Sequence, residues 1–286
     1  MKKSPALLAS LLFLGCALAP GAASPLLSSS ASASWVDNIT RSPYIDAAHD
    51  AAVYDVTGAA EWHNQLSRDV ALQYGANAGY ESCPKYDGLD RVLAGVQFAV
   101  RRKLGLGPYA PAFRAELSYT GDWYRESLRN GTRLVAGFSW TQRWNDSWQT
   151  VLAGDFLHND GHAAAYDYHN RGLSLEARYD INERWQLAAG AERRLGEQIT
   201  YAWLGGSGAT FPYVFDIWKN TTGISTFGKN WNAYSIDAHA DSVWLSISPA
   251  LGGNSSLPLR YEQTAVVGRG ESYHTRMISL SFVKRF

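Results

Sequence analysis

An excess of charge of either sign is what this 286-residue chain most plainly lacks, since 26 Lys and Arg stand against 26 Asp and Glu. Nucleic-acid binders carry a clustered basic surplus, so that class is excluded. Cysteine is scarce at two residues, which excludes a disulfide scaffold and any multi-cysteine zinc or iron–sulfur centre. Beyond the N-terminal segment no run is apolar and long enough for a spanning helix, which needs about 20 residues. Catalytic signatures are missing too: there is no His-Glu-x-x-His, no Walker loop and no Cys-x-x-Cys. Nothing implies a cofactor. What the chain does have is aromatic surface, with 11 Trp and 16 Tyr. These are the side chains that sit best where water meets lipid. Mean hydropathy is nevertheless slightly negative, at −0.24.

The first residues read as an export signal over residues 1–23. Lys2 and Lys3 form a basic start, Ala6 to Ala19 an apolar stretch, and small residues follow. Cleavage is expected after Ala23, or as late as Ala33. Leu14-Gly15-Cys16 offers a second reading, because it resembles the end of a lipoprotein signal box; Cys16 is then the lipidated residue. Residues 24–66 are expected to form a Ser-rich tether and a periplasmic lead-in or plug, extended or partly helical, with Ala47, Ala48, Ala51, Ala52 and Val53 suited to a short helix or an inward-folded plug.

From residue 67 onward the pattern alternates with period two. In Leu173 to Ile181, Leu173, Leu175, Ala177, Tyr179 and Ile181 oppose Ser174, Glu176, Arg178 and Asp180. Phe113 to Asp122, Arg133 to Arg143 and Trp185 to Arg194 repeat it. The apolar faces run about 9 to 11 residues, the length at which a tilted strand crosses a bilayer and well beyond a soluble strand. Trp144 and Trp148 bracket one tight polar turn, Tyr179 and Trp185 another, as at a membrane interface. The fold expected is all-β: a transmembrane antiparallel up-and-down β-barrel over residues 67–286. Ten strands are expected, within a range of eight to twelve: 67–82, 89–104, 112–125, 131–144, 148–160, 170–181, 185–202, 231–249, 256–268 and 272–286. Val53 to Trp62 and Tyr213 to Lys219 are candidate additions. An even count places both termini in the periplasm.

The last strand ends in Phe286, with Phe282, Leu280 and Ile278 on the same face and Lys284 departing from the pattern. This resembles the C-terminal signature of the bacterial outer-membrane β-barrel superfamily. The resemblance implies the outer membrane as location, its lipids as surroundings, and Phe286 as the signal read by the barrel assembly machinery. It carries over no functional residues.

The lumen face is expected to hold an ion-pair network of Arg114, Glu116, Arg133, Glu176, Arg178, Glu192, Arg194, Arg260 and Glu262, closing a narrow bore. Asp237, His239 and Asp241 form a candidate catalytic row, read as lumen-facing with a β-bulge at Asp241-Ser242 where the parity flips. Barrel proteases of the omptin type use such acid and His pairs near their rim, but no omptin motif surrounds these residues. His158, Asp160 and His162 are candidate metal ligands in a polar loop. Gly205 to Ala209 approaches a nucleophile elbow, without its last glycine. The His-x-Ser of barrel lipid enzymes is absent. Three functions follow: a non-enzymatic barrel acting as a narrow or gated passage or as an assembly, export or surface-interaction component; a rim enzyme, protease or lipid-modifying; or a purely structural envelope protein.

Overall fold

The computed structural model describes residues 24–203, 217–268 and 272–286. The export signal and Cys16 lie outside them, as does Gly205 to Ala209. Fourteen strands run in chain order: β1 (Leu26–Val36), β2 (Ala51–Gln65), β3 (Val70–Ser82), β4 (Arg91–Lys103), β5 (Ala112–Tyr124), β6 (Gly131–Arg143), β7 (Trp148–Gly161), β8 (Tyr168–Asn182), β9 (Trp185–Trp203), β10 (Ile217–Ile224), β11 (Trp231–Gly252), β12 (Ser255–Ser256), β13 (Leu259–Gly268) and β14 (Ser272–Arg285). Twelve of them, all except β10 and β12, form a closed antiparallel barrel.

The count therefore corrects the expected ten. The two further strands, β1 and β2, come from the segment read as tether and lead-in. β1 closes the barrel by pairing with β14 from Ser28↔Arg285 to Val36↔Met277, and with β2 from Leu26↔Glu61 to Val36↔Ala51. It was hard to recognise because its outward residues include Ala31 and Ala33 and its inward ones Ser30, Ser32 and Ser34. Small residues on both faces give little hydrophobic contrast. Closure supplies the ladder partners that a free edge would lack. Cleavage after Ala33 would cut β1 in two, whereas cleavage after Ala23 leaves it whole.

The barrel has two unlike ends. Residue 24, the C-terminus and the turns after β2, β4, β6, β8 and β11 lie at one, the terminal end. The loops after β1, β3, β5 and β7 and the last residues of β9 and β13 lie at the other, the loop end. Ala47 therefore belongs to a one-turn 3-10 helix (Ile45–Ala47) at the loop end, not to a lead-in beside the termini.

Outward faces carry large exposed apolar side chains all around the wall, among them Val56, Phe98, Leu117, Phe138, Leu175, Leu245 and Leu280. Leu175 alone is 56% exposed. A water-facing surface does not carry so continuous an apolar belt, which suits lipid. Aromatic pairs mark the terminal-end margin: Trp148 packs on Tyr179 at 4.7 Å between ring centres, and Trp62 stacks on its cross-strand partner Tyr74 at 5.7 Å. Among the described residues no helix is long and apolar enough to cross a membrane.

Candidate functional site

On a strand, residues i and i+2 share one face, close enough for long side chains to meet. The terminal half of the lumen uses this repeatedly. Arg114 Nε lies 3.0 Å from Glu116, Arg178 Nε 2.5 Å from Glu176, and Arg260 Nη2 2.6 Å from Glu262. Nearer the loop end Arg194 Nη2 lies 2.6 Å from Glu192 and its Nη1 2.9 Å from Asp155. That second contact passes over Gly172, where any Cβ would come within 3 Å of Asp155, Glu192 and Arg194. Gly190 has the same use: the Trp244 ring lies across it, and its indole donates to Glu176 at 3.1 Å. Arg260 stacks over that indole at 4.6 Å.

Of the lumen residues named from sequence, eight pair among themselves along their own strands, and Arg133 pairs instead with Asp122. Their direction differs from the expectation. Among the described residues no lumen-wall pair joins strands more than two places apart, so these pairs lie along the wall and do not cross the bore.

The loop half is built otherwise. β9, β10 and the start of β11 continue past the barrel wall, where β10 takes the edge of β11 that β13 has left. This three-stranded extension covers the mouth together with loops 37–50, 83–90, 125–130 and 162–167. At its centre Phe227 meets Tyr86, Tyr201 and Trp231 at 5.1, 5.0 and 5.4 Å, and His49 meets Trp231 at 5.2 Å. Arg129, almost fully buried, donates to the Tyr201 hydroxyl at 2.6 Å and lies over the Tyr166 and Tyr201 rings. Glu126 accepts from the Ser225 amide at 2.6 Å and from the Thr226 hydroxyl. Desolvation raises the Glu126 pKa, but these donors and Arg129 outweigh it and hold the carboxyl below its usual range. Lys219 bridges Glu197 and Asp167 at 3.3 and 3.6 Å, and Lys85 binds Asp50 at 2.6 Å on the rim.

Beneath this cap lies a cavity of about 620 Å³. Arg41, Arg91, Arg129, Arg133 and Arg194 line it against Glu81, Asp122, Glu192 and Glu262, with five tyrosines between them. Arg91 holds Glu81 and Asp122 at 3.0 and 3.2 Å, and Arg133 shares Asp122 at 3.7 Å. Of these, Arg41, Arg91, Arg129 and Glu81 are not among the residues that the sequence singles out; only the inward fold of loop 37–50 makes Arg41 a lumen residue.

The candidate catalytic row is corrected. Asp237, His239 and Asp241 face outward, in line with Val243 and Leu245, and β11 pairs with β9 and β13 without a break through Ser242. There is no bulge and no flip: one outer face runs from Leu245 and Val243 on to Asp241, His239 and Asp237. Asp241 is held by Arg193 at 2.6 and 2.7 Å, with His239 at 4.0 Å. His158 and Asp160 likewise lie exposed on the outer face of β7, with His162 exposed just beyond it; no group of three potential ligands among the described residues is placed to hold a metal. Phe286 is exposed beside β1, its amide bonded to Leu27.

No protein-family model and no curated protein matches the chain. Solved structures do. An outer membrane channel from Pseudomonas putida F1 superposes with a TM-score of 0.56 at 14% identity, covering 94% of this chain and 100% of that one. The DcaP channel of Acinetobacter baumannii gives 0.46 at 7% identity, covering 92% and 96%, and a KdgM porin 0.44 at 8%, covering 89% and 98%. At such identities the likeness to the first is one of fold.

Proposed function

We propose that the chain is an integral outer-membrane β-barrel that gives small solutes a passage gated at its loop end. One observation carries this reading: a closed barrel with an apolar exterior encloses a charged cavity, and its own loops cover the mouth. The Pseudomonas channel of the same fold supports it, and so does the terminal Phe286 beside an apolar strand face, the feature that the assembly machinery would read. Both termini then lie in the periplasm and the cap faces outward. Cleavage after Ala23 leaves β1 intact for closure. A rim enzyme loses its support, because Asp237, His239 and Asp241 stand on the outer wall.

Planar-bilayer recording tests the gate. The wild type should conduct weakly or intermittently, and Phe227→Ala with Glu126→Ala should raise the open fraction, because both changes remove contacts that hold the extension down. A large steady conductance in the wild type, or none in the weakened variant, would refute a gated passage.

A further inference from the structure

We infer that the cavity under the cap is a binding site for small organic anions of the carboxylate class, centred on Arg41. This deepens the proposed passage and rests on it only for the route by which the ligand arrives.

The charge pattern is the first observation. Each acid lining the cavity already has an arginine: Glu81 and Asp122 have Arg91, Glu192 has Arg194, and Glu262 has Arg260. Arg41 has no ion pair and no side-chain hydrogen bond among the described residues, so one cation is left over. It is accessible, and it lines the cavity. Arg133, Tyr168 and Tyr273 line the same cavity as Arg41, so a second guanidinium and two phenols border the space that it faces. Arg133 is only loosely engaged, at 3.7 Å from an Asp122 that Arg91 already satisfies.

The backbone is the second observation. Arg41 has φ +52°, an uncommon conformation for a residue with a side chain. It is held there by a buried lattice of hydrogen bonds. Asn38 Nδ2 donates to the Ser42 carbonyl at 2.9 Å, the Ser42 amide donates to Asn38 Oδ1 at 3.0 Å, and the Thr200 hydroxyl donates to the Arg41 carbonyl at 2.5 Å. Asn38, Thr40, Ser42 and Thr200 are all buried. A strained residue so firmly fixed, with its charged end unpartnered, is the arrangement expected of a preorganised ligand contact.

The third observation lies across the same cavity. Arg129 Nη2 has no hydrogen-bond partner, although the residue is only 7% exposed and lines the space. Buried polar atoms normally find partners. A small shift of the guanidinium toward the cavity would let a second acceptor on the ligand supply one. Tyrosine rings and Ile199 also line the cavity and suit a flat, partly apolar body, and the volume falls in the range of small-molecule sites.

The test uses the refolded full-length protein in detergent, with benzoate, benzamide and benzylammonium as matched anionic, neutral and cationic probes in calorimetric titration. Benzoate should bind at least about tenfold more tightly than either of the others, and Arg41→Gln should remove that preference. Arg41→Lys should restore part of it; heat-modifiable gel mobility checks folding of both variants. Equal binding of the three probes, no binding of benzoate, or benzoate binding unchanged in Arg41→Gln would overturn the inference. Liposome swelling separates the two readings. Uptake without anion preference would leave the passage standing and sink the site, whereas selective binding without uptake would do the reverse.

Discussion

The two halves of the lumen hold charge in different ways. Toward the terminal end, arginines pair with acids two residues away on their own strand, as Arg114 does with Glu116 and Arg260 with Glu262. Toward the loop end, contacts join distant parts of the chain: Arg129 reaches Tyr201, Glu126 reaches Thr226, and Thr200 reaches Arg41. Pairs of the first kind line a wall and leave the bore its width. Contacts of the second kind bridge the mouth and close it. Charge in a barrel is thus no measure of closure; what matters is whether partners lie along the wall or across the opening.

Both halves share one lipid-facing wall, and the severest change strikes there. Leu175→Arg should cost about 2–4 kcal/mol and impair assembly, while Ser174→Arg, pointing into the lumen, should be milder. Heat-modifiable mobility of membrane fractions reports this, and equal effects would mean that inside and outside are misassigned. Next comes the contrast itself. Removing a cap contact by Phe227→Ala should raise single-channel open probability severalfold, whereas Arg178→Ala, removing a wall pair, should alter conductance only slightly. A larger effect from Arg178→Ala would reverse the comparison.

A smaller effect is expected from pH. Burial in the cap, with Lys85 assisting and Asp50 opposing, holds the His49 imidazole below its ordinary value of 6.5. The open or unfolded form therefore binds the proton more readily, and the cap is stabilised above that value and loosened as pH falls through it. Open probability should rise below about pH 6.5, and His49→Gln should flatten the rise; a rise unchanged in that variant would assign it to other groups. The smallest signal is chemical. Cys83 is a buried free thiol whose pKa burial raises, so it should resist an impermeant maleimide in the wild type and react faster once Phe227→Ala loosens the cap. Equal rates would show that the cap already opens freely.

Topology admits a sharper check of orientation. A cysteine at Ile45, which is 88% exposed at the loop end, should label on intact cells, and one at Asn182, at the terminal end, should not. The reverse would invert the barrel.

Ten of the twelve wall strands could be read from residues alone, because a wall between lipid and water writes its period directly into side-chain polarity. β1 could not, since Ala31 and Ala33 against Ser32 and Ser34 offer almost no contrast, and Ala-Ser-Ala also mimics a cleavage site. The misreading of Asp237, His239 and Asp241 has a related cause. Polarity by itself reads as inwardness, but in a wall strand of 22 residues the outward face also carries polar residues.

The chain's alternation and its aromatic shoulders by themselves determined a membrane barrel, and i,i+2 spacing determined the partners of most wall charges, because both rest on geometry within a single strand. Only tertiary structure decided the cap, the cavity and the isolation of Arg41. Those depend on which loops fold inward, and the meeting of Glu126 with Thr226 or of Thr200 with Arg41 involves residues about 100 and 159 positions apart, a separation at which no local period carries information.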